Sequence, residues 1–113
     1  MFPDVSVTEL ERAATNYEVG TRLLYENDRV RVWDITLQPG ERLPFHCHRT
    51  SYFYRCESGG RWRLRTIEGD EVLGQNGVGA VTFRDLVDGQ VLIHELTNVG
   101  EEPLRYTTVE LLG

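Results

Sequence analysis

An all-β chain closed into a jelly-roll barrel is the expected architecture, and three features of the sequence lead to it. From Thr21 onward apolar and polar residues alternate with period two, the signature of half-buried strands. Turn-forming pairs recur at short intervals, as Asn27-Asp28, Pro39-Gly40, Gly59-Gly60 and Asp88-Gly89. No stretch carries the spacing of a long amphipathic helix. A chain of 113 residues makes one domain, and about eight to ten short strands fit it. Antiparallel strands must hide their edges, which a barrel or a two-sheet jelly roll does economically.

The elements follow in order. Residues 1–18 form an N-terminal arm or short helix, because Ser6 or Thr8 precedes Glu9, Glu11 and a short apolar set. The barrel takes residues 19–113. Leu23 and Tyr25 lead through Asn27-Asp28 into Val30, Val32 and Asp34, alternating with Arg29, Arg31 and Trp33, which reads as a hairpin. Pro39-Gly40 ends the second strand, and another begins near Pro44. Arg61 to Ile67 forms the next clear run after Gly59-Gly60. Thr82-Phe83, Val91-Leu92-Ile93 and Arg105 to Val109 supply the later strands. The arm can leave the barrel to pair with a neighbouring chain, so a homodimer is expected.

Composition removes several classes of function. The net charge of −6 and a pI near 5.0 repel phosphate backbones and anionic lipid, so no nucleic acid and no membrane partner is expected. All 12 basic residues are arginine, which excludes Schiff-base chemistry and a phosphate-loop lysine. No basic, apolar leader of signal-peptide type opens the sequence, and no apolar run approaches the ~20 residues needed to cross a bilayer. A cytoplasmic location is expected. Cys47 and Cys56 lack the spacing of a redox or zinc motif and are read as reduced thiols.

The three histidines carry the chemistry. His46 and His48 stand two apart in Pro44-Phe45-His46-Cys47-His48, and His94 lies on a later run. On a strand, residues i and i+2 share a face, roughly 6.6 Å apart along the backbone at ~3.3 Å per residue. Two imidazoles so placed can converge on one ion, with a third from a facing strand completing a site open on one side. A lone histidine usually signifies a hydrogen-bonded core residue. A His-x-His pair with one further histidine, in a chain holding no others, points to metal instead. By the same alternation Cys47 points away from the pair.

These residues bring a family into view. Gly40, His46-Cys47-His48, Tyr52 and Gly59 resemble the first motif of the cupins, and His94 with Asn98 resembles the second. The likeness runs from about Tyr25 to the C-terminus. It implies a β-barrel with a central metal held by three histidines and, ordinarily, a glutamate. This chain departs from the pattern twice. Tyr52 stands where the glutamate is usual, and Gly89 to Ile93 lacks the usual Pro-x-Gly before the last histidine. Cupins with three histidines alone include thiol dioxygenases and a diketone-cleaving dioxygenase, so the loss of glutamate is compatible with a metal.

The resemblance implies one divalent transition ion, Fe, Zn, Ni, Cu or Mn, on His46, His48 and His94. It implies dioxygenase, lyase or isomerase chemistry on a small organic molecule, or a non-catalytic binding or sensing role. Without the glutamate the ion keeps its full charge, which favours an anionic or enolisable bidentate ligand. Tyr52 is the candidate catalytic group, with ligation, hydrogen bonding and volume filling all open to it. Candidate substrate contacts are Arg42 at the barrel rim, Tyr54 on the inward face shared with Tyr52 and Cys56, and Arg63. Arg61, Arg63 and Arg65 alternate along one sheet face, where a solvated row paired with Glu68 or Glu71 is the plain reading and a carboxylate clamp the sharper one. Phe45, Phe53 and Phe83 supply further aromatic material near the cavity. Asn98 either orients His94 or stabilises the turn before Gly100.

Overall fold

A computed structural model describes residues 2–113. Among these residues are one short α-helix, α1 (Val7–Arg12), a 3-10 turn at Ala13–Thr15, and nine strands: β1 (Arg22–Glu26), β2 (Val30–Leu37), β3 (Arg42–His48), β4 (Tyr52–Cys56), β5 (Arg61–Thr66), β6 (Glu71–Gln75), β7 (Val81–Arg84), β8 (Leu92–Asn98) and β9 (Leu104–Leu111). They form two antiparallel sheets, one of five strands in the order β1-β2-β9-β4-β7 and one of four in the order β3-β8-β5-β6. No helix is long and apolar enough to cross a membrane.

The expected hairpin joins β1 to β2. Asn27 Oδ1 accepts hydrogen bonds from the Arg29 and Val30 amides at 2.8 and 2.9 Å, which closes the turn. Alternation along β2 places Trp33, Ile35 and Leu37 inside. Its valines therefore face outward. Val32 lies in an unbroken cross-strand row on the outer face, Tyr25–Val32–Val109–Phe53–Phe83, that crosses all five strands of the sheet. Phe83, expected near the cavity, is 54% exposed in this row, because register sets it beside outward-facing Phe53.

The core lies between the sheets. Ile35, Leu37, Cys56, Leu104 and Tyr106 from the five-stranded sheet pack with Leu43, Trp62 and Leu96 from the other. Gly74 is opposite Trp62 in the β5–β6 pairing. A Cβ at Gly74 would lie 2.1 Å from Trp62 Cζ2, so glycine is what lets the indole lie flat against this strand. At the Pro39-Gly40 turn, Gly40 adopts a φ of +84°, which favours glycine, and its amide donates to the Asn98 carbonyl at 3.0 Å.

The arm is helical over one and a half turns. Ser6 caps it, its Oγ accepting from the Glu9 amide at 3.1 Å. Glu9 does not return to the cap. Its carboxylate instead accepts from Arg42 and from the Phe45 amide on β3. The arm folds back on its own barrel, with Phe2, Val5, Leu10 and Ala13 closing over Phe45, Ile67 and Ile93 on the outer face of the four-stranded sheet. Phe45, expected at the cavity, is fully buried in this second cluster. Asn16 covers the free edge of β3: its carbonyl accepts from the Cys47 amide at 2.7 Å, and its Nδ2 donates to the Phe45 carbonyl at 2.9 Å.

Candidate metal centre

The histidines are brought together by one strand pair. Antiparallel pairing of β3 with β8 sets His46 directly opposite His94, with His48 two residues further along the same face. The third ring thus comes from a hydrogen-bonded neighbour in the same sheet, not from a facing strand. All three side chains are buried. His48 Nε2 lies 3.2 Å from His46 Nε2 and 3.2 Å from His94 Nε2. The potential ligand atoms of the trio all fall within 4.8 Å of one another.

These rings have too few protons to satisfy one another. His46 Nδ1 lies 2.8 Å from the Pro44 carbonyl, which only accepts, so Nδ1 carries the proton and Nε2 presents a bare lone pair. Burial is the main force keeping the trio neutral. It pushes His46 down to about 4, against the opposing pull of the Pro44 carbonyl and Glu95. Burial and mutual repulsion push His48 lower still. Burial, His46 and Arg84 push His94 well below its usual range. One proton on His48 Nε2 can bridge to only one neighbour, and His48 Nδ1 is itself buried without a partner. Converging neutral nitrogens answer to a cation. At metal–nitrogen distances of about 2.0–2.1 Å, ligands at right-angle to tetrahedral separations lie about 2.9–3.4 Å apart, which brackets the observed 3.2 Å. The donor set fits a divalent transition ion.

Facing the histidines across the cavity is the five-stranded sheet. Tyr52, 3% exposed, stacks on His48 with ring centroids 3.9 Å apart and planes 11° from parallel. Burial raises its phenol well above the usual range, so the side chain is a neutral hydroxyl at neutral pH. Tyr54 also lines the cavity, and Cys56 lies deeper in the core on the same face. The cavity is about 160 Å³, close to the ~150 Å³ of a pocket that holds one aromatic ring. Its walls divide into a polar end, with the histidines, Tyr52, Arg84 and Thr108, and an apolar end built from Ile35, Leu43, Trp62, Leu64 and Leu96.

Two of the candidate substrate contacts lie elsewhere. Parity with His46 would aim Arg42 inward, but a register shift between Leu43 and His46 inserts one extra residue on β3. Leu43 consequently faces the cavity and Arg42 the outer surface. Arg63 points outward by simple alternation with cavity-lining Trp62 and Leu64. On that outer face Arg42 Nε and Arg65 Nη2 donate to Glu95 Oε1 at 2.9 and 2.7 Å, with Arg63 at 3.9 Å. Glu95 is fully buried, and Arg65 also pairs with Asp4 of the arm at 2.8 Å. The arm therefore covers Arg65, while Arg63 is half-buried and Arg61 stays exposed. Arg63 comes within 3.8 Å of Glu71. Cys47 faces away from the histidines, as expected, beside Ile93. Asn98 serves the turn: its Nδ2 donates to the Leu37 and Glu102 carbonyls and its Oδ1 accepts from the Gly100 amide.

The residue missed by sequence reading is Arg84. It stands directly opposite Tyr52 in the β4–β7 pairing and lines the cavity. Its only local signal is its position two residues beyond Thr82, on the face away from Phe83, and nothing in that tripeptide says which face is inside.

Comparison with known proteins supports the architecture. No protein-family model and no curated protein sequence matches the chain. Solved structures do. A cupin domain from Bordetella pertussis superposes with a TM-score of 0.70 at 23% identity, covering 80% of this chain and 88% of that one. An uncharacterized conserved protein with a double-stranded β-helix domain from Klebsiella pneumoniae gives 0.63 at 16% identity, over 92% and 87% of the two chains. An RmlC-like cupin family protein from Methanocaldococcus jannaschii gives 0.63 at 18%, over 80% and 76%. The chain has the cupin, double-stranded β-helix fold.

Proposed function

We propose that this chain is a mononuclear metal cupin, in which His46, His48 and His94 hold one divalent transition ion and the adjoining cavity takes a small organic molecule. The observation that carries this reading is the convergence of three buried, neutral imidazoles with His46 Nε2 left bare by the Pro44 carbonyl. A bound ion would supply Lewis acidity or, if redox-active, oxygen activation, which are the resources of a dioxygenase, lyase or isomerase.

The chain's own residues supply the remainder. The Pro44 carbonyl fixes the His46 tautomer, as the partners of metal-bound histidines generally do. Tyr52 braces the His48 ring by stacking, and its neutral hydroxyl is available to donate a hydrogen bond to an oxygen of the bound molecule. The apolar end shields the body of that molecule from water.

Metal analysis of untagged protein tests the reading. One ion per chain is expected, lost in a His46→Ala/His48→Ala double variant. Absence of binding across Fe, Zn, Ni, Cu and Mn would overturn it. Oxygen uptake on panels of thiols, diketones and hydroxy acids with the iron-loaded protein then separates an oxygenase from the second reading, a non-catalytic sensing or binding cupin.

A further inference from the structure

The cavity wall is electrostatically one-sided. Among the described residues lining it there is no Asp or Glu, while Arg84 enters from β7. Tyr52 stands between two charged cross-strand neighbours, Arg84 on β7 and the buried Glu110 on β9, and Glu110 is already engaged by Trp33 Nε1 at 2.6 Å and by Arg31 at 3.5 Å. Among the described residues Arg84 forms no ion pair, which is equally true of Arg12, Arg22, Arg29, Arg49, Arg61 and Arg105, but of these only Arg84 lines the cavity. Its neighbour Asp85 is engaged by the Ser51 hydroxyl at 3.0 Å. Arg84 is thus a cation with a neutral phenol beside it and no carboxylate against it, in a protein whose net charge is −6.

From this arrangement we infer that Arg84 and Tyr52 form an anion clamp facing the three histidines, and that the ligand is a small monocarboxylate with an apolar body. The inference rests on the metal-site reading above and adds the class of ligand. Guanidinium presents paired N–H donors that match a carboxylate, and the Tyr52 hydroxyl adds a third donor from the next strand. With the carboxylate at this polar end, the remainder of the molecule extends between Trp62, Leu64 and Leu96. A cavity of about 160 Å³ suits a molecule built on one ring, judged against a one-ring pocket of ~150 Å³. Arg84 is exposed at the end of the edge strand β7, where it can meet an incoming anion before the molecule enters.

The test is calorimetric titration of monocarboxylates of benzoate size, each paired with its neutral amide, into zinc-loaded wild-type protein and zinc-loaded Arg84→Gln and Arg84→Lys variants. Wild type should prefer acid over amide. Arg84 is exposed, so solvent screens part of its charge, and Arg84→Gln should reduce that preference about threefold to tenfold. Arg84→Lys, keeping the charge without the fork, should fall between. Zinc content should equal that of wild type in both variants, because Arg84 is not a ligand.

An acid preference as large in Arg84→Gln as in wild type, or no acid binding in preference to its amide, overturns the inference while leaving the metal site intact. Failure of wild type to take up zinc or any other ion sinks the earlier reading instead. The clamp is then judged on metal-free protein, where the same drop between wild type and Arg84→Gln supports it and its absence refutes it.

Discussion

Acid should weaken the metal-free protein between pH 7 and pH 5, above the range where most carboxylates protonate. His46 is fully buried and titrates at about 4 in the folded chain, against 6.5 for an unperturbed imidazole. As pH falls, the unfolded chain takes up this proton first, so the equilibrium is drawn toward unfolding. The contribution is present in full above pH 6.5 and disappears as pH falls through about 4. At ~1.36 kcal/mol per pH unit the whole interval is worth about 3 kcal/mol. The linkage relation removes about 2 kcal/mol of this between pH 7 and pH 5. His48 and His94 are depressed in the same direction and add to the loss. Urea unfolding of chelator-treated protein, followed by fluorescence of its two tryptophans, measures the effect at pH 7, 6 and 5. A midpoint that stays level over this range, or drops only below pH 4.5, would refute the reasoning. Adding zinc at pH 7 should raise the midpoint, since the ion binds the folded trio and its ligands must be deprotonated.

Two further outcomes test the scaffold. Gly74→Ala should force the Trp62 indole off β6, because the new Cβ would stand 2.1 Å from Cζ2. The expected cost is about 1–3 kcal/mol in urea unfolding, together with altered tryptophan fluorescence. Glu95→Gln should destabilise by about 3 kcal/mol, since it removes the buried charge that Arg42 and Arg65 share. Metal content of that variant should be unchanged, because Glu95 faces the arm and His94 the cavity; a loss of metal would show that the two faces of β8 are coupled.

The histidine cluster was largely legible in the primary sequence because its logic is local. Two histidines at i and i+2 on a strand share a face whatever else the chain does, and the spacing to Gly40, Tyr52 and Gly59 pointed to one barrel family. Tyr54 and Cys56 followed from the same alternation. The expectations for Arg42, Arg63, Phe45 and Phe83 went astray where alternation alone does not say what lies beyond the strand. One inserted residue between Leu43 and His46 reverses the direction of Arg42 while leaving the histidine pair untouched. The arginine row reads as solvated, but at its Arg65 end the arm docks over it and Glu95 is buried among guanidinium groups.

Arg84 shows the boundary most clearly. Its place opposite Tyr52 comes from pairing strands separated by a long intervening stretch of chain, and register between distant strands is set by which faces the whole barrel buries. Residue type and short-range periodicity therefore specified the strands and the face that carries the histidines. Which charges meet the cavity and which are sealed beneath the arm emerged from long-range pairing, because a side chain's surroundings belong to its neighbours in space and not to its neighbours in sequence.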